Sequence, residues 1–95
     1  MEFDWTNPSS AIDESLTHQE IEESFEDPFA VKLMPDSPRF SVQARYFNLG
    51  VSVNGTGIFS VYRTNGKITR VIFARPFTAE EKFFYQKKMN ELLAE

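Results

Sequence analysis

A chain of 95 residues with 41% hydrophobic and 15% aromatic content has room for one core, so residues 1–95 are predicted to form a single domain. The absence of cysteine excludes disulfides, thiolate catalysis and thiolate-bound zinc and points to a reducing compartment, by default the cytoplasm; nothing has the character of a secretion leader or a membrane span. The net charge of −4 hides an asymmetry, because the first thirty residues carry nine acids and no lysine or arginine, whereas the next forty-five carry seven bases and the single acid Asp36, a middle suited to polyanions.

In chain order, Phe3 and Trp5 alternate with acids and predict a short N-terminal strand. The Asn7-Pro8-Ser9-Ser10 cluster predicts entry into a brief helix over residues 9 to 15. Thr17 and Glu20 have capping-box spacing, and with Ile21 and Phe25 on one face they predict a second helix to about Glu26, stopped by Pro28. Phe29 to Met34 then has the pattern of a strand, and Pro35-Asp36-Ser37-Pro38 that of a loop.

From Val42 to Arg75, three β-rich runs separated by Asn54-Gly55 and Asn65-Gly66 predict an antiparallel meander, which with the preceding strand makes four strands. Three-residue turns with glycine in the left-handed position pair Leu49 with Phe59 and Val61 with Thr69. That register collects Phe47, Leu49, Val51, Phe59, Val61, Val71 and Phe73 on one side, the expected core. Thr78-Ala79-Glu80-Glu81 is a second capping box and opens a C-terminal helix with Phe84, Tyr85, Lys88, Met89 and Leu92 on one stripe. The predicted fold is α+β: a short N-terminal strand, two helices, a four-stranded antiparallel meander and a C-terminal helix.

The same register leaves Tyr46, Asn48, Ser60, Tyr62, Ile68 and Arg70 on the opposite, open face. Tyrosines beside an arginine suit the stacking of unpaired bases, although a solvated sheet face accounts for the same pattern. At one sheet end the pairing sets Arg45 against Arg63 and Arg63 against Lys67. Such a cluster requires carboxylates, for which Glu22, Glu23 and Glu26 are available, or an external anion such as phosphate. Arg75 falls at the other end, before the helix start at Thr78, with Glu80 or Glu81 as possible ion-pair partners.

His18 is the single histidine, which excludes a two-histidine ribonuclease mechanism within one chain, and no serine-nucleophile, phosphate-loop or dinucleotide motif is present. No metal or other cofactor is expected. The second helix carries acids on nearly every exposed position, so direct DNA binding is not expected of this chain.

With these elements in place the chain resembles the BrnT family of bacterial type II toxins. The matching pieces are Phe3-Asp4-Trp5, Leu16-Thr17 with Glu20-Ile21-Glu22-Glu23, Phe25-Glu26-Asp27-Pro28, Arg45-Tyr46 with Leu49-Gly50, and Ala74-Arg75 followed by Thr78, Glu81 and Tyr85. They span nearly the whole chain in family order. Where many members have a basic residue, a histidine and a glycine before the second helix, this chain has Asp13, Glu14 and Ser15.

The resemblance implies a RelE-like fold and a ribonuclease that arrests translation. It also implies a ribbon-helix-helix antitoxin as partner, through which alone the complex contacts DNA. The implied reaction is metal-independent attack of a ribose 2′-hydroxyl on the neighbouring phosphate, with arginines stabilising the developing charge. Arg45, Arg63 and Arg75 are the catalytic candidates, and Tyr46, Tyr62, Lys67 and Arg70 are the candidate RNA contacts. Glu81 and Tyr85 match the family motif as acid or base, but capping accounts for Glu81 and helix packing for Tyr85. The alternative is an attenuated or non-catalytic member acting as a protein-binding or regulatory module, suggested by Asp13-Glu14-Ser15 and the acidic first third.

Overall fold

The computed structural model describes residues 2–34 and 45–94; the predicted loop at Pro35 to Pro38, the start of the meander at Val42 and the base Arg39 lie outside the described residues. The elements are β1 (Glu2–Phe3), α1 (His18–Glu26), β2 (Val31–Leu33), β3 (Tyr46–Val51), β4 (Gly57–Thr64), β5 (Ile68–Pro76) and α2 (Ala79–Leu93). They form an α+β fold around a five-stranded mixed sheet of order β1-β5-β4-β3-β2. Strands β2 to β5 are the antiparallel meander, and β1 joins it in parallel beside β5. Among the described residues no helix is long and apolar enough to cross a membrane.

Both capping boxes form as the sequence predicts: the Thr17 and Thr78 hydroxyls accept from the amides of Glu20 and Glu81, whose carboxylates accept the threonine amides in return. The predicted helix over residues 9 to 15 does not form. Instead Ile12 makes an isolated parallel bridge to Ala74, and the Asp13 amide donates to the Ala74 carbonyl at 2.8 Å. The Asp13 carboxylate takes the amide and hydroxyl of Ser15, and the Ser9 hydroxyl takes the Ala11 amide. Short polar side chains that bond neighbouring backbone compete with a helix, and here they win.

The β3–β4 turn is the predicted three-residue one, closed by the Ser52 amide donating to Thr56, with Gly55 at φ 91°. The Leu49–Phe59 pairing follows from it. The β4–β5 register differs from expectation. Val61 faces Phe73, not Thr69, and Arg63 faces Arg70, not Lys67. Two causes combine: the Asn65 side-chain oxygen Oδ1 accepts the Lys67 and Ile68 amides and draws them into a different turn, and an extra residue on β5 shifts the ladder between Val61 and Tyr62. The bulge also separates Val71 from Phe73, putting Val71 in the core cluster.

The larger correction concerns which sheet face is covered. Helix α1 lies on the side of Asn48, Gly50, Ser60, Tyr62 and Ala74, where Ile21 and Phe25 pack with Ile58, Tyr62 and Val71. Except for buried Leu49, the phenylalanine side is only half-buried at Phe47, Phe59, Val61 and Phe73. Small residues decide this. A side chain at position 50 would fall on the Ser24 carbonyl of α1, so glycine lets the helix backbone rest directly on β3. The buried Asn48 amide donates to that same carbonyl at 3.2 Å, satisfying what close approach would otherwise leave unpaired.

The C-terminal end of α1 is tied down twice. Lys32 donates to the Phe25 carbonyl at 3.2 Å and to the Asn48 side chain at 3.0 Å, placing a cation at the negative end of the helix. Desolvation lowers the pKa of its ammonium group, against the pull of Asp27. Asp27 accepts the Phe29 amide at 2.9 Å on one oxygen, and on the other the Val51 amide at 2.9 Å and the Tyr85 hydroxyl at 2.5 Å. Tyr85 is the one buried residue of α2 among those described.

Gly50→Ala is expected to destabilise the fold by about 2–3 kcal/mol, since a methyl group there must displace backbone; a denaturant midpoint within error of wild type would contradict the packing. Burial, and after it Asp27, raises the Tyr85 pKa above its ordinary value. The unfolded state therefore ionises first as pH rises through about 10, so stability from this group is full below that pH and falls above it. Tyr85→Phe is expected to cost about 2 kcal/mol at neutral pH and to flatten the loss of stability between about pH 9 and pH 11, as read from denaturant melts.

Candidate nucleic-acid interface

The sheet face away from α1 carries an aromatic ladder between two groups of arginines. Phe47 on β3 stacks on Phe59 of β4 at 6.0 Å and 19°, and Phe59 meets Phe73 of β5 edge-on at 6.2 Å. These rings are half-buried, with α2 over only one side of the face, where Phe84 lines a cleft with Leu33, Leu49 and Phe59.

At one end, Arg63 and Arg70 are direct cross-strand partners on this same face. Arg45 immediately precedes β3, one residue beyond the Tyr46–Tyr62 pair, which sets it beside Arg63. Three arginines thus run in a row across β3, β4 and β5, and all three are exposed. Arg70 is partly compensated by Asp4 at 3.9 Å and donates to the Asn7 carbonyl at 3.1 Å. Among the described residues no carboxylate lies within ion-pair distance of Arg45 or Arg63. Cross-strand like charges repel, so an anion bound here relieves a standing cost.

The acids of α1 do not supply that anion. Glu22 accepts from the Trp5 indole at 2.7 Å, and Glu20 and Glu23 accept from Asn54 and the Val53 amide of the β3–β4 turn. His18 is exposed and stacks on Trp5 at 3.9 Å.

Arg75 stands at the other end of the face in a different state. Its two terminal nitrogens donate to the two oxygens of Glu81 at 2.7 and 2.8 Å, and its guanidinium lies 4.7 Å from the Phe59 ring centre and 5.9 Å from that of Phe73. The hydrogen bonds to Arg75 are the main cause that lowers the Glu81 pKa, and Glu81 in turn raises that of Arg75. Beside Arg75 is a cleft of about 530 Å³ lined by residues 10 to 14 together with Phe73 and Ala74. Because Ile12 bridges Ala74, its neighbour Asp13 is set alongside Arg75, on the open side. Asp13 and Glu14, the positions at which the chain departs from the BrnT pattern, therefore edge this face.

The structure thus brings Arg45, Arg63 and Arg70 together and leaves Arg75 apart. Lys67 is exposed in the β4–β5 turn, opposite neither Arg63 nor the ladder. Tyr46 and Tyr62 are corrections: both lie on the α1 side, stacked on each other at 5.6 Å, and Tyr62 is only 5% exposed beneath Phe25. Tyr62 is a packing residue, unable to stack a base without displacing α1, and Tyr46 is half-buried against the same core cluster. Glu81 is occupied by its cap and by Arg75, and Tyr85 by Asp27. The stacking residues that sequence reasoning missed are Phe47, Phe59 and Phe73, which the apolar pattern assigns to the core. Gly50 shares its face with Asn48, Ser60 and Ala74, the small and polar residues over which α1 lies. Among the described residues no group of three or more His, Asp or Glu is placed to hold a metal ion. Comparison with protein-family models and with curated proteins finds no match to the chain.

Proposed function

We propose that this protein is the toxin component of a bacterial type II toxin–antitoxin pair, a cytoplasmic, RelE-like ribonuclease that engages single-stranded RNA on the open sheet face and is neutralised by a small ribbon-helix-helix, DNA-binding antitoxin. The observation that carries the reading is the arginine row of β3, β4 and β5 beside half-buried phenylalanine rings, the combination that holds phosphates and stacks unpaired bases. The pieces behind the BrnT resemblance also contact one another: Asp27 binds Tyr85, Arg75 binds Glu81, and Gly50 receives α1. A shared fold accounts for such a set.

In this reading Arg45 and Arg63 grip the scissile phosphate. The 2′-hydroxyl gives up its proton as its oxygen bonds to phosphorus, the bond from phosphorus to the 5′-oxygen breaks and that oxygen takes up one proton in exchange, and the arginines stabilise the charge on the non-bridging oxygens. The products are a 2′,3′-cyclic phosphate and a 5′-hydroxyl.

One observation favours the second reading, an attenuated protein that binds without cutting. The 2′-hydroxyl proton needs an acceptor, and the motif candidates Glu81 and Tyr85 are both committed to structural bonds. The two readings separate in one assay. Purified protein with RNA in chelator is expected to yield 2′,3′-cyclic or 3′-phosphate ends, with Arg63→Ala slowing cleavage about a hundredfold and abolishing growth arrest on induction. Intact RNA with normal growth, alongside retained RNA binding, selects the binder; absence of both cleavage and binding rejects the RNA reading.

A further inference from the structure

We propose that Arg75 is a stacking platform for an unpaired RNA base and holds no phosphate, so that the open face has an ionic end at Arg45, Arg63 and Arg70 and a stacking end at Phe59, Phe73 and Arg75. The inference rests on the reading of this face as an RNA site and assigns the substrate chemistry at each end.

Three observations converge on Arg75. Its charge is matched by Glu81 through two parallel hydrogen bonds at 2.7 and 2.8 Å, which occupy the end-on fork of its two terminal nitrogens, and one of these also donates to the Pro76 carbonyl at 3.2 Å. Its guanidinium lies over the Phe59 ring, 4.7 Å from the centre, and so adjoins the ladder of rings that begins at Phe47. Asp13 and Glu14 line the adjoining cleft and add negative charge where a phosphate would approach. A neutral, planar base meets none of these obstacles. The Arg75 side chain keeps 33% of its surface exposed, and with Phe73 it lines the cleft of about 530 Å³.

Salt dependence distinguishes the two roles, because each phosphate contact to a single strand contributes about 0.7 to the slope of log affinity against log salt, whereas stacking contributes nothing. Fluorescence anisotropy of the full chain with short oligo(A) and oligo(U) over a salt series is the measurement. Wild type is expected to prefer oligo(A), the better stacker, by about tenfold. The charge-balanced double substitution Arg75→Gln with Glu81→Gln is expected to abolish that preference with the slope unchanged. Arg75→Lys, which can retain an ion pair with Glu81 and so guards against misfolding, is expected to lose the preference as well. Arg63→Ala is expected to lower the slope by about 0.7 for both oligomers.

A slope that falls by about 0.7 in the double variant, or a preference that survives Arg75→Lys, overturns the stacking role while leaving RNA binding intact. If neither oligomer binds at low salt, the RNA reading fails and this inference with it.

Discussion

The carboxylate of Asp27 is the junction on which the arrangement of the helices depends. It accepts the Phe29 amide just past the end of α1, the last amide of β3 and the phenol that anchors α2, so three parts of the chain distant in sequence meet at two oxygens. A charged acceptor with three donors is strongly held, and removing any donor leaves the others in place. Few other contacts hold α2: Arg75 binds Glu81, and Phe77 lies 5.6 Å from Tyr85. The outer surface of the helix is left to solvent, with Phe83 72% exposed and Leu93 66% exposed.

Local order was legible wherever neighbouring residues decide it. Both capping boxes, the glycine of the β3–β4 turn, the Leu49–Phe59 register and the four meander strands follow from short-range chemistry. What was not legible is which face of the sheet α1 covers. Counting apolar side chains favours the side of Phe47, Phe59 and Phe73, but a nine-residue helix with Ser24 facing the sheet packs by backbone approach, and that requires Gly50, Asn48, Ser60 and Ala74. The period-two pattern names two faces and does not say which is inside. The bulge on β5 was equally silent in the sequence, because nothing near Ile72 marks an extra residue.

The inversion of faces changes which residues form the candidate site. Tyr46 and Tyr62 leave it for the core, and three phenylalanines take their place as stacking surfaces. Arg45 and Arg63 stay adjacent, as read from the sequence, because the β3–β4 register was correct; Arg70 joins them because the β4–β5 register was not. Arg75 remains at the far end, in the predicted company of Glu81. The motif residues Thr78, Glu81 and Tyr85 prove to be the fastening of α2, so a structural demand accounts for their spacing.

The acidic first third acquires a meaning that its composition did not convey. Its α1 carboxylates fasten Trp5 and the β3–β4 turn on one side of the sheet, while the arginine row occupies the other. The sheet and its core therefore stand between a negative surface and a positive one, and a chain of net charge −4 still offers a polyanion a favourable approach from one side. By the same argument the helix side repels a polyanion and the side of the arginine row attracts one. A second gradient runs along the open face, from Arg45 and Arg63, which among the described residues lie in no ion pair, to Arg75, which is paired with Glu81 and edged by Asp13 and Glu14. An anion is favoured at one end of the face and disfavoured at the other, so charge sets where on the sheet a polyanion would rest.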